Sequence, residues 1–238
     1  WVLTWCGAHG GLRSFPTRRA SVLVRDTTGV WSQQTYLKAS NTSMRDLFGQ
    51  SVAVYADTVV VGAYFEDSSS SGVNSTPDDL SYHSGAAYVF IRNEDSIWSQ
   101  QAYLKASNTG EDDRFGWSVA VSEDRVVVGA PIEKSSSIGV NSTPNDSAFA
   151  AGAAYVFVRS GSSWVQQAYL KASNAEAGDL FGESVAVSGT TIAVGAANED
   201  GDSNSTADMP NNSLTSGGAV YVFTRSDTTW SQDRKSVV

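Results

Sequence analysis

Cysteine, histidine and basic residues are scarce in this chain, and each shortage removes a class of function. One cysteine, Cys6, among 238 residues excludes an internal disulfide framework and a thiolate metal cluster. The two histidines are His9 and His83. His83 falls in a polar loop with no partner placed by spacing and reads as a solvated side chain, so no catalytic residue is assigned. Sixteen Lys and Arg against 25 Asp and Glu give a net charge of -9. Counterion release therefore cannot drive binding, and a nucleic-acid partner is not expected. No apolar run approaches the roughly 18 residues that cross a bilayer, and the start lacks the charged, apolar and small-residue regions of a secretory signal, so membrane insertion is not expected. Nor does any window keep a 3.6-residue period over about a dozen residues, which excludes a helical solenoid.

What is present is an ordinary globular composition, 41% apolar and 17% charged, able to bury a sizeable core. Six Asn-x-Ser/Thr sites, at Asn41, Asn74, Asn141, Asn145, Asn204 and Asn211, carry little weight in a chain so rich in these residues. The informative feature is a repeat. Tryptophans open successive units at Trp31, Trp98, Trp164 and Trp230, at spacings of 67 (98-31), 66 (164-98) and 66 (230-164) residues. A Phe-Gly pair follows at Phe48, Phe115 and Phe181, a Gly-Ala pair at Gly62, Gly129 and Gly195, and a further glycine at Gly85, Gly152 and Gly218. The one extra residue of the first unit falls in the turn before Trp98, where length is easily absorbed.

Each unit reads as four strands. "SVAV" from Ser51, "VVVGA" from Val59 and "AAYVFIR" from Ala86 are short, apolar and rich in β-branched or aromatic residues, as strands covered on both faces should be. "WSQQAYLKA" from Trp98 alternates, with Trp98, Ala102 and Leu104 opposite Ser99, Gln101 and Lys105, as an outer strand with one wetted side would. Lys38, Lys105 and Lys171 read as outer-strand charges that discourage edge pairing. Three covered strands and one half-covered strand, at a period well above 40 residues, are the pattern of a β-propeller blade built as an antiparallel meander. A two-sheet sandwich is the minor alternative.

The Phe-Gly pairs, the Gly-Ala-Pro at Gly129 to Pro131 with looser versions at Gly62 and Gly195, and "SGAAYVF" from Ser84 resemble the FG-GAP repeats of integrin alpha-subunit propellers and of many bacterial surface or secreted proteins. The resemblance covers residues 21–232. It implies an all-β, multi-bladed propeller, secreted or at the cell surface, with binding rather than catalysis as its usual role. One departure is informative. Integrin-like repeats often carry a calcium loop between the first two strands, whereas "YADT", "SEDR" and "SGTT" are too short to supply six to eight oxygen ligands. The Asn-, Ser- and Thr-rich long loops look more like the bacterial variety.

The connections between the second and third strands, Phe65 to Ser84, Ile132 to Ala151 and Asn198 to Gly217, each run to 20 residues, a length associated with function or mobility. With the inter-blade links they should open on one face of the disc. Their carboxylates, Glu66, Asp67, Asp78, Asp79, Glu133, Asp146, Glu199, Asp200 and Asp208, form an acidic rim and are the candidate ligand-binding residues for a protein or glycan. A solvated polar surface is the plainer reading. "NEDGD", with Asn198, Asp200 and Asp202, is the candidate calcium site, although the other loops do not repeat its Gly-Asp step. Asp46, Asp113 and Asp179, with Asn41, Asn108 and Asn174, recur at fixed phase. A catalytic group need occur only once, so these read as hydrogen bonds that fix the inter-blade link.

Residues 1–20 match no part of a blade and 233–238 depart from the repeat; both resemble foreign sequence, with a capping arm as the alternative for the first twenty residues. The units 31–97, 98–163 and 164–229 then make about three blades of an incomplete propeller, with the missing blades expected elsewhere in the same polypeptide. Adhesion or ligand binding through the long-loop face is the expected role. A passive spacer is the alternative, and a carbohydrate-active enzyme the third reading.

Overall fold

A computed structural model describes residues 2–5, 20–200 and 214–237, and among them every regular element is a strand. An antiparallel sheet of three strands comes first: β1 (Val2–Trp5), β2 (Ala20–Arg25) and β3 (Trp31–Leu37). Three four-stranded antiparallel meanders follow. Blade 1 contains β4 (Ser51–Tyr55), β5 (Thr58–Ala63), β6 (Ala86–Arg92) and β7 (Trp98–Leu104). Blade 2 contains β8 (Ser118–Ser122), β9 (Arg125–Ala130), β10 (Ala153–Ser160) and β11 (Ser163–Leu170). Blade 3 contains β12 (Phe181–Ser188), β13 (Thr191–Ala196), β14 (Ala219–Ser226) and β15 (Thr229–Val237). The sheets are propeller blades that do not close into a ring.

The core lies between sheets, not within one. Phe48 packs with Ala20, Val22 and Leu37 of the first sheet; Phe115 packs with Val60 and Val89 of blade 1; Phe181 packs with Val127 and Val156 of blade 2. Each of these phenylalanines meets a tyrosine of its own blade edge to face, Tyr88 at 5.4 Å, Tyr155 at 5.3 Å and Tyr221 at 5.3 Å. Burying such a ring stabilises the fold by about 2–3 kcal/mol, so the repeated Phe is the bolt between blades. Position in the stack explains the strand burial. The first strand of blade 2, flanked on both sides, has four of five residues buried, whereas β12 alternates between half-buried and exposed beyond Gly182 because no described strand covers its outer face.

The glycines permit the close stacking. Gly49, Gly116 and Gly182 have φ of 93°, 90° and 93°, a region that costs a side-chain-bearing residue strain. A Cβ on Gly62 would lie 2.0 Å from the carbonyl oxygen of Gly116, and one on Gly129 would lie 1.9 Å from that of Gly182. Backbone meets backbone there, as the sequence expects. Ser51 and Ser118 donate their hydroxyls across the same contacts, at 2.7 Å to Gly116 O and 2.8 Å to Gly182 O.

The outer strands depart from the simple alternation. Pairing shifts register between Val89 and Phe90 opposite Ala102 and Gln100, so Gln101 forms a bulge, and Gln34 and Gln167 repeat it. Past the bulge Ala102, Tyr103 and Leu104 are all buried. The first and last segments add backbone to the sheets despite their unlike sequence. Val2–Trp5 pairs with β2 and β15 pairs with β14 through Val237, because ladder hydrogen bonds use main-chain groups that every such residue carries.

Candidate functional site

The long loops of blades 1 and 2 are built structures. In blade 1, Lys105 N donates to Gly72 O at 2.9 Å and Asn74 N to Tyr103 O at 2.8 Å, while Tyr103 N donates to Asn74 Oδ1 at 2.9 Å. Val73 bridges Leu104 antiparallel, so the loop lays a short extra strand along the outer edge of β7. Blade 2 repeats this with Gly139, Val140 and Asn141 against Tyr169, Leu170 and Lys171. Asn74 and Asn141 both take φ of 54°, a left-handed conformation that Asn tolerates better than most residues. The outer edge is thus shielded by the loop and not by lysine charge.

Under each loop lies an ionic hub. Lys105 and Glu66 are 0% and 1% exposed, Lys171 and Glu133 0% and 2%. Lys105 Nζ donates to Glu66 Oε2 at 2.9 Å, Ser84 Oγ at 2.8 Å and Gly85 O at 2.7 Å. Glu66 also accepts from Tyr103 Oη at 2.8 Å, Asn41 Nδ2 at 2.9 Å and Ser68 N at 3.2 Å. Blade 2 has the same set: Glu133 accepts from Lys171 Nζ at 2.9 Å, Tyr169 Oη at 2.9 Å, Asn108 Nδ2 at 3.0 Å and Ser135 N at 3.1 Å. Burial pushes the Lys105 and Lys171 ammoniums below the ordinary lysine range, opposed by the neighbouring glutamate. In blade 3, Glu199 accepts from Asn174 Nδ2 at 2.7 Å and Tyr221 Oη at 3.0 Å, and Val237, paired with Ala219, stands in the lysine position.

The outer-strand reading of Lys105 and Lys171 is therefore corrected: the loop covers their side of the strand and provides a carboxylate. Lys38 alone of the three is exposed. The acidic rim is corrected too. Glu66, Glu133 and Glu199 are buried and anchor the loops from below, since a carboxylate taken out of water requires this many donors.

The remaining candidates lie nearer the surface but do not converge. Asp67 Oδ1 accepts from His83 N at 2.7 Å. Asp78 accepts from Ser69 Oγ at 2.6 Å and Ser69 N at 2.7 Å; these bonds, the hydroxyl first, hold its carboxyl below the usual carboxylate range. Asn145 plays that part in blade 2. Asp79 and Asp146 are exposed at the tips. Asp200 Oδ1 accepts from Ser216 N at 2.6 Å, and Asn198 N donates to Asp179 O at 3.3 Å. Asp202 and Asp208, like Cys6, His9, Asn204 and Asn211, lie outside the described residues. Among the described residues no three His, Cys, Asp or Glu side chains gather in a manner that would hold a metal ion.

The fixed-phase polar residues stitch each link to its blade. Asn41, Asn108 and Asn174 each donate to the hub glutamate and accept from Tyr88, Tyr155 and Tyr221 at 2.8, 2.9 and 2.8 Å. Asp46, Asp113 and Asp179 accept from the backbone N–H of Ser43, Gly110 and Glu176 at 2.6, 2.8 and 2.7 Å. Desolvation pushes these three carboxyls up to about 6, 7 and 7.

Two inter-blade clamps escape sequence reasoning. The indole N–H of Trp98, Trp164 and Trp230 donates to the bulged Gln34, Gln101 and Gln167 of the preceding sheet at 3.0, 2.7 and 2.8 Å. Gln100, Gln166 and Gln232 each accept from one backbone N–H of the preceding link, that of Ser40, Ser107 and Ser173, and donate to the same serine's hydroxyl. Their signal was present: each Gln recurs at constant distance from its Trp.

At the junction of blades 1 and 2 the loop face carries an aromatic cluster. His83 stacks on Phe65 at 3.6 Å between centroids and on Tyr82 at 3.5 Å. Tyr64 lies 4.7 Å from Trp117, and the Arg114 guanidinium lies 5.7 Å from the Phe65 ring and 5.9 Å from the Trp117 ring. The solvated reading of His83 is corrected: its side chain is 13% exposed.

The FG-GAP repeat family matches residues 31–90, 98–157 and 164–223, in phase with the three blades. No curated protein matches the chain. The family's repeat is of a binding or structural type. Three matched repeats, each with its Phe in the inter-blade core, mean that this chain belongs to the FG-GAP repeat family.

Proposed function

We propose that the chain serves outside the cell in adhesion or ligand binding, taking a protein or glycan on the face formed by the long loops and the inter-blade links. The observation that carries this reading is the sidedness of the loop face. Asp112 N, Arg114 N and Phe115 N of one link donate to Tyr82 O, His83 O and Ser84 O of the preceding loop, and Gly178, Leu180 and Phe181 do the same to Phe149, Ala150 and Ala151. Loops and links therefore share one side. On that side the buried hubs hold large apolar tips in solvent, with Leu80 78%, Phe149 64% and Tyr82 60% exposed, the kind of surface that marks interaction sites.

Removing whole loops would take the hub glutamates with them, so the test replaces tips only. Residues 76–80 and 143–147 become Gly/Ser of equal length, leaving Glu66, Glu133 and the edge segments in place. Binding of the full chain to immobilised gelatin and to immobilised mannan is then compared with the parent. Loss of binding with an unchanged melting temperature supports the reading. A parent that binds neither surface favours the second reading, a passive spacer, for which the rigidly anchored loops also speak.

A further inference from the structure

We infer that the aromatic cluster between blades 1 and 2 is a subsite for a neutral sugar ring, an inference that rests on the loop face being the binding face. The chain carries its own control. The two blade junctions have the same backbone: Arg114 N donates to His83 O and Leu180 N to Ala150 O, both at 3.1 Å, and the flanking bonds match. His83 and Ala150 take φ of 51° and 57°, Arg114 and Leu180 of 60° and 59°, so each pair leaves the backbone in the same direction. Yet the side chains differ at every position of the cluster. Phe65 corresponds to Ile132, Tyr82 to Phe149, His83 to Ala150, Arg114 to Leu180 and Trp117 to Glu183. The second junction folds with none of the first junction's stacking, so the fold does not require it. A stack present at one of the two described junctions, in a repeat that otherwise copies its structural residues, is set for something other than structure.

Its chemistry selects the occupant. Tyr82, backed by the His83–Phe65 stack, is 60% exposed and held flat against His83 at 29° between planes. A fixed aromatic face suits the C–H face of a pyranose, which is apolar while its hydroxyls point outward around the edge. Beside it stand an acceptor and a donor fork for those hydroxyls. Asp112 Oδ1 accepts from Arg114 Nε at 3.1 Å and lies 3.6 Å from His83 Nδ1, and the Asp112 and Arg114 side chains are 32% and 29% exposed. Arg114 and Asp112 neutralise each other, and a chain of net charge -9 offers an anionic sugar no attraction. Arg114 already takes the cation position over Phe65 and Trp117, so those two rings offer a cationic ligand no site. A protein partner would need roughly 800 Å² of contact per side, whereas here a single ring is broadly presented.

Affinity electrophoresis of the full chain in native gels cast with mannan, laminarin or xyloglucan tests this. Retardation is expected in at least one gel, with a change in Trp117 fluorescence on adding the same polysaccharide. Tyr82→Ala should weaken retardation about tenfold, the scale of one lost stacking partner, and His83→Ala, which installs the residue of the second junction, should weaken it too. Tyr55→Ala, at the exposed end of β4 away from the long loops, should leave it unchanged, as should melting temperatures throughout. No retardation in any gel overturns the inference, as does retardation that survives Tyr82→Ala. If gelatin binding still depends on the loop tips in either case, the broader reading of the face stands without the sugar subsite.

Discussion

Blades 1 and 2 and blade 3 share a sequence phase but not the same residues at the hub positions. Both Lys105 and Lys171 close a buried hub with a glutamate beneath the loop, while in blade 3 the corresponding position is Val237 and the tyrosine position is Lys235. Blades 1 and 2 are also followed by a sheet whose Phe-Gly segment covers their glycines; the outer face of blade 3 leaves Ser184 exposed. A blade's strand pattern is therefore written within its own unit, but its stability is written partly in the next.

The sharpest way to break the comparison is Lys105→Met. It strands the Glu66 carboxylate in the interior and should cost about 3–5 kcal/mol, with part of the loss recovered in the double variant Lys105→Met/Glu66→Gln, whose uncharged amide oxygen still accepts from Asn41 and Tyr103. Thermal melts of the single and double variants check this, and Glu199→Gln in blade 3 should cost less than the single lysine change. Next comes Gly129→Ala. Its Cβ would fall on the Gly182 carbonyl, forcing blades 2 and 3 apart at about 1–3 kcal/mol. Gly195→Ala meets first the movable Ser184 hydroxyl of its own blade and should cost less in the same urea titration.

A smaller effect follows from the link aspartates. Asp113 and Asp179 are pushed up to about 7 by burial, so between about pH 4 and 7 the fold holds protons that the unfolded chain has released. Stability is then highest at the acid end of that window and falls as pH rises through it. Asp113→Asn retains an acceptor for Gly110 N and should flatten the fall in melting temperature between pH 5 and 8. Smallest of all, Lys235→Tyr with Val237→Lys would supply the two missing hub residues to blade 3 and should raise its melting temperature slightly, sharpening the contrast by abolishing it.

Much of this was legible in the sequence. The Trp ruler, the strand order and the Phe-Gly and Gly-Ala glycines all follow from residues a fixed distance apart. The hub was not, because Asn41, Glu66 and the Tyr103–Lys105 pair come from three separate segments, and charge in a polar stretch reads as solvated. A signal existed: a glutamate four residues after each Gly-Ala glycine, at Glu66, Glu133 and Glu199, is a charge that never drifts. The bulged glutamines were hidden because one inserted residue resets the alternation on which strand faces are assigned. The aromatic cluster was hidden for the opposite reason. A search for what repeats passes over what occurs once, and only subtracting one unit from another exposes Tyr82, His83 and Arg114.

The anchoring of each long loop at both its root and its middle has a consequence for change over time. With Glu66 clamped below and Gly72–Asn74 zipped along the neighbouring strand, the stretch beyond Asn74 can be rewritten without loosening the sheet, as the divergence from Leu80 to Ser84 against Ser147 to Ala151 already records. Such a segment behaves like interchangeable type in a fixed frame, a natural place to graft new recognition onto an unchanged scaffold.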